Sequence, residues 1–232
     1  MSLTASTGLM RALGVVLMVT ASLALGACGD DDDSSATSAD AGKKSGLGNE
    51  RFKALDAVYK AAIPLDELDD DAPVADFEKV LKDYEAECNT LDAEDTLLAA
   101  YRRFCPLLAE LREQLVAAGE CEKEEEVQAC LDGVSGFRAV VRKFLSEGER
   151  YDSTINSAKL AAACKGALVN PPLSYEVMRG YGRAFAYLQR ALTTGSEADV
   201  NKADAIMKRA ETQAERLPDA KEALADFRSG CA

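Results

Sequence analysis

The chain has 232 residues, enough for one domain of ordinary size or two small ones, and its 47% hydrophobic and 29% charged residues are a globular mixture. It contains no His, which excludes Ser-His-Asp and Cys-His dyads, HExxH zinc sites and any imidazole acid or base. Asp plus Glu outnumber Lys plus Arg 40 to 27, for a formal charge of −13. Nucleic acid is therefore not an expected partner, because phosphate neutralisation needs clustered cations.

The N-terminal stretch reads as processing information rather than fold. Arg11 precedes an apolar run over residues 12–25. As a helix the run covers about 21 Å, short of a ~30 Å hydrocarbon slab but suited to the core of a signal peptide. It ends in Leu25-Gly26-Ala27-Cys28, with Gly29 and four aspartates at 30–33 behind it. Residues 25–28 resemble the lipobox of bacterial lipoproteins: an aliphatic residue, two small residues that fit a narrow protease site, and a Cys whose thiol is nucleophilic enough to form a thioether. The resemblance implies removal of residues 1–27, transfer of a diacylglyceryl group to Cys28 and acylation of the new terminus with a palmitate-type chain. Two or three acyl chains anchor a protein stably where one holds it only weakly. Ordinary secretory cleavage after Gly26 is the alternative. The expected location is extracytoplasmic and lipid-anchored. It is the outer membrane if the host has one, since Gly29 rather than Asp follows Cys28, and otherwise the outer face of the cytoplasmic membrane. The resemblance ends at this region; the rest of the chain matches no family pattern.

Residues 28–48 then form a tether. The sequence GDDDDSSATSADAGKKSGLG has no apolar run able to repay its own ordering entropy. A flexible coil of this length spans about 25 Å. The aspartate run lacks the alternating spacing and central Gly of a calcium loop, so it reads as a solvated spacer.

From 49 to 232 the periodicity predicts one all-α unit, a disulfide-stapled bundle of six to eight amphipathic helices. Phe52, Leu55, Val58/Tyr59 and Ala62 make a first stripe, ended by Pro64. Phe77, Val80/Leu81, Tyr84 and Cys88 make a second. Leu97, Tyr101, Phe104, Leu108, Leu111 and Leu115 step by fours and threes after an expected Asp92 cap, with a kink expected at Pro106. Val127, Cys130/Leu131, Val134, Phe137, Val141 and Phe144 follow, and then a weaker helix over 153–164 that stops before Asn170-Pro171-Pro172. Val177, Tyr181, Phe185, Leu188 and Leu192 form a strong stripe ended by Gly195. Ser196 caps the next helix, where Val200, Ala203, Met207, Ala210 and Ala214 face inward, and a last helix carries Leu224 and Phe227. No run alternates as a strand does.

Setting Cys28 aside leaves Cys88, Cys105, Cys121, Cys130, Cys164 and Cys231, an even number that points to three disulfides in an oxidising compartment, with buried free thiols as the alternative. Cys121 with Cys130 closes the shortest loop, Cys164 with Cys231 would staple the C-terminal part, and Cys88 with Cys105 follows by elimination if the Pro106 kink brings them together. No C-x-x-C spacing suggests a metal, and no metal or cofactor is expected.

Chemistry is harder to find. The acidic groups at 92–95 and 122–126 fall on helix starts and polar faces, where the macrodipole favours them without catalysis. No nucleophile elbow, P-loop or dinucleotide fingerprint occurs, so no catalytic residue is expected. Tyr175, Tyr181, Arg183 and Tyr187 are the nearest approach to a ligand groove, although such tyrosines are more often core residues with a hydroxyl reaching the surface. Gly180 and Gly182 read as close helix packing. The expectation is a non-catalytic envelope binding or interaction module, held to the membrane by the lipid on Cys28 and facing an envelope protein partner. A ligand-carrying lipoprotein with a pocket between helices is the alternative.

Overall fold

The computed structural model of the chain describes residues 46–67, 74–107, 110, 111, 114 and 127–232. The expected signal peptide, Cys28, most of the tether and Cys121 lie outside these residues. The helical stripes become helices in the order α1 (Asn49–Asp66), α2 (Val74–Thr90), α3 (Thr96–Phe104), α4 (Val127–Ser157), α5 (Ala162–Leu168), α6 (Pro172–Thr194), α7 (Glu197–Ala214) and α8 (Ala220–Cys231). Among the described residues there is no strand, and the chain is an all-α, disulfide-stapled bundle.

Local chemistry sets most of the boundaries. Gly195 takes φ 68°, a left-handed conformation that ends α6 at little cost for Gly. Ser196 then accepts from the Asp199 N–H and starts α7. Asp219 and Glu222 form a reciprocal capping box at the head of α8. Pro172 occupies the first turn of α6, where its missing N–H has no intrahelical partner to lose.

Three expectations need correction. The cap of α3 is Asp95 rather than Asp92: its carboxylate accepts from the Leu97 and Leu98 N–H groups at 3.0 and 3.1 Å. Asp92 serves the preceding turn, accepting from the Glu94 N–H at 2.8 Å. Pro64 does not end α1, which runs on to Asp66. Leu65 is drawn into the core there, so burial outweighs one lost hydrogen bond in the last turn. The weak helix over 153–164 is in fact two pieces. α4 continues to Ser157 because Tyr151 and Ile155 extend its buried stripe, and a break over 158–161 precedes α5.

Pro106 interrupts the third helix as expected. α3 stops at Phe104, a turn covers 105 and 106, and helical turns resume at Leu107. The turn brings Cys105 to Cys88 of α2, with Cα atoms 6.0 Å apart, and the two are bridged. Cys164 of α5 is bridged to Cys231 of α8, with Cα atoms 4.5 Å apart. Cys130 is also disulfide-bonded.

Two packing styles share the bundle. Where α1, α3, α4 and α8 meet, rings follow one another through the core: Phe52 on Phe227, Phe227 on Tyr59, Tyr59 on Tyr101, Tyr101 on Tyr151, Tyr151 on Phe104 and Phe104 on Phe144, with centroids 4.7–6.4 Å apart. Leu47 is buried at this end, just ahead of α1. Gly46 beside it has φ 77° and no room for a Cβ, which would lie 2.4 Å from the Lys159 carbonyl oxygen. Away from this end α4, α6 and α7 bury Phe137, Tyr181 and Phe185 with aliphatic neighbours, Phe137 lying on Phe185, and glycines stand where the helices approach most closely.

Candidate functional site

Small residues bring three helices close enough to share a surface groove. A Cβ on Gly180 would lie 3.1 Å from Ala210 Cβ of α7, and one on Gly182 would lie 3.2 Å from Val141 Cγ1 of α4. Two glycines on either side of Tyr181 thus set the spacing of α6 to both neighbours. Along α7, Ala203, Ala210 and Ala214 keep that spacing short.

The open side of the three helices forms a groove of about 600 Å³. Val141, Leu145 and Gly182 supply its apolar floor, and Arg138, Arg142, Arg179, Arg183 and Arg209 its charge, with Glu176 as the lone carboxylate. Helical spacing explains the convergence. Arg138/Arg142 on α4 and Arg179/Arg183 on α6 are i, i+4 pairs, and Arg209 on α7 is followed four residues later by Gln213 of the same lining. Each helix therefore presents one polar column to the groove.

The arginines are poorly neutralised. Arg138 donates to the Gln189 side-chain oxygen. Arg179 meets Glu149 at 3.4 Å, a contact between two exposed groups that contributes little. Arg183 donates to the Arg179 carbonyl at 3.4 Å. Among the described residues neither Arg142 nor Arg209 has an ion-pair or hydrogen-bond partner. In a chain this acidic, guanidinium groups without carboxylates are conspicuous when they share one groove. Guanidinium forks suit oxyanions, and their exposure makes any such binding salt-sensitive.

The residues singled out from the sequence do not assemble. Tyr181 is fully buried, its hydroxyl has no hydrogen-bond partner among the described residues, and burial pushes its pKa up. Arg183 is exposed and lines the groove. Tyr187 is half-buried on the helix surface, with Arg190 and Lys202 over its ring at 5.1 and 5.6 Å. At about 100° per residue, Arg183 lies about 200° round the helix from Tyr181, so they face opposite ways.

Tyr175 belongs to a different cluster. Its hydroxyl donates to Asp152 Oδ2 at 2.5 Å, while Asp152 Oδ1 accepts from both the backbone and side-chain N–H groups of Asn170 at 3.0 Å. Burial raises the Asp152 pKa against the opposing effect of these bonds. The cluster ties the turn between α5 and α6 to α4, which is a structural role. Among the described residues no three His, Cys, Asp or Glu side chains gather as a metal site, and no helix is long and apolar enough to cross a membrane.

Sequence reasoning missed Arg138, Arg142, Arg179 and Arg209. The available signal was the i, i+4 arginine pairs at 138/142 and 179/183, which become informative only when their helices are known to touch. Comparison with known proteins adds nothing to this picture: no family model, no curated protein and no solved structure matches the chain.

Proposed function

We propose that the chain is a lipid-anchored, extracytoplasmic binding module of the bacterial cell envelope, with no catalytic role and with the arginine-lined groove as its binding face. The observation that carries the binding part is the convergence of five arginines from three helices on one open, apolar-floored groove. The anchoring part rests on the lipobox-like residues 25–28 and the acidic tether behind them. Disulfides favour an oxidising compartment and are consistent with export. The ligand-carrier alternative gains support from the groove's volume, which falls within the usual range for small-molecule sites.

The test is cross-linking of the full-length protein in its native envelope from a photoreactive residue at Arg183, beside a matched residue at Lys221 of α8, outside the groove lining, in chains with Cys28 or Cys28→Ala. Anchoring predicts an acyl mass increment and membrane retention that depend on Cys28. A binding face predicts adducts from position 183 that are absent from position 221. Release of the unmodified protein into the soluble fraction would remove the anchor, and equal adducts from both positions would remove the assignment of the face.

A further inference from the structure

We infer that the groove between α4, α6 and α7 is a binding site for a multiply charged, phosphate-bearing ligand with an apolar portion. The inference rests on the groove being the binding face and adds the chemical class of what it binds. All five cations of the lining are Arg and none is Lys. Arg offers a planar fork of donors that pairs with acidic oxygens, whereas Lys is a compact point charge.

The direction of approach narrows the class. The forks come from three helices on different sides of the groove, so they can meet an anion from several directions. A planar carboxylate presents two oxygens in one plane. A tetrahedral phosphate presents its oxygens around a centre, as converging forks require. The charge points the same way, because five guanidinium groups set against Glu176 in the lining and Glu149 beside Arg179 leave an excess that a single carboxylate does not balance. A diphosphate or bisphosphate group brings several charges in a small volume. Arg138 is already engaged with Gln189 and contributes mainly charge, while Arg142, Arg183 and Arg209 form no ion pair among the described residues and keep donors for a ligand. Val141, Leu145 and Gly182 leave an apolar strip between the charged columns, which suits the non-phosphate part. The rest of the acidic chain repels long polyanions, so the site suits a short one.

The phosphate has two possible sources, a free phosphate compound or a lipid headgroup, and the test separates them. The full-length chain with Cys28→Ala, exported through a conventional signal peptide that leaves the tether in place, is titrated at about 0.15 M salt with inorganic pyrophosphate, with citrate, and with vesicles of phosphatidylglycerol or phosphatidylcholine. Because this form carries no acyl chain, binding is read independently of anchoring, and a failure of one leaves the other standing. We expect pyrophosphate to bind more tightly than citrate. Arg142→Ala and Arg209→Ala should each weaken it by about tenfold, with Lys53→Ala as the unaffected control. Circular dichroism should show unchanged helix content in all three variants. Affinity for phosphatidylglycerol but not phosphatidylcholine vesicles, lost in the same two variants, places the phosphate on a lipid. Pyrophosphate affinity without vesicle binding places it on a free compound. The inference is overturned if neither pyrophosphate nor phosphatidylglycerol binds, if citrate binds as tightly as either, or if the double Arg142→Ala/Arg209→Ala variant binds like the parent.

Discussion

The end of the bundle where α1, α2, α3, α5, α8 and the C-terminal part of α4 meet, and the layer that α4 shares with α6 and α7, solve the same packing problem with different materials. The first fills its space with large rings and closes it with the Cys88–Cys105 and Cys164–Cys231 bridges. The second draws its backbones together over Gly and Ala and leaves its arginines at the surface. Large rings bury much apolar area and fix one arrangement, so that end resists change. Small residues bury less per residue but let helices approach closely enough for side chains from three of them to line one groove. The contrast separates the part of the chain closed by rings and disulfides from the part that carries the groove proposed as the binding face.

The sharpest way to break the contrast is Phe104→Ala. Phe104 is fully buried against Tyr151 and Phe144, and its loss should lower stability by about 3–5 kcal/mol in urea unfolding. Replacing Cys164 and Cys231 together by Ser opens a link of sequence separation 67 and, through the loop entropy released in the unfolded chain, should remove about 4 kcal/mol by the same measurement. In the other layer Gly182→Leu forces α6 away from Val141, costs about 1–3 kcal/mol and should weaken pyrophosphate binding along with stability.

Acid should act mainly on the first region. The hydrogen bond from Arg228 of α8 holds the Asp56 carboxyl of α1 below its ordinary pKa. Asp95 is pushed up by burial but more strongly down by the Leu98 N–H and Arg51, so its net shift is also downward. A lowered folded pKa contributes stability that is complete above the unfolded value and is lost as pH falls through the folded one. Stability should therefore decline below about pH 4, and Asp56→Asn should flatten that decline in melts taken across pH. Asp152 works in the opposite sense: its pKa is raised, so its ionisation opposes folding as pH rises. The smallest effect belongs to Arg142→Ala and Arg209→Ala, which should leave the melting curve within about 0.5 kcal/mol of the parent while changing binding.

The helices were legible in the sequence because the periodicity of Val177, Tyr181, Phe185 and Leu188 survives folding as a buried face, and because Gly195 and Ser196 carry their own boundary chemistry. Choosing between Asp92 and Asp95 as a cap was not, since both are acidic residues just ahead of an apolar stripe and only backbone geometry separates them. The unbroken course of α4 to Ser157 depends on where Tyr151 and Ile155 are received, which is a tertiary fact. The groove was the least legible. Arg183 was singled out for its neighbours along the chain, yet its companions across the groove come from α4 and α7. Proximity along one helix had grouped it with Tyr181, which faces the core.

α4 also serves as a measure of length. Its 31 residues form a rod about 46 Å long that ends close to where Gly46 rests against Lys159. Arg138 and Arg142 lie about 22–28 Å back along this rod from Ser157. The chain entering at Leu47 and the arginine-lined groove are thus kept apart by one continuous helix. The groove is held at a fixed distance from the place where Leu47 enters the bundle, and a pull at that place is transmitted to it along the helix axis.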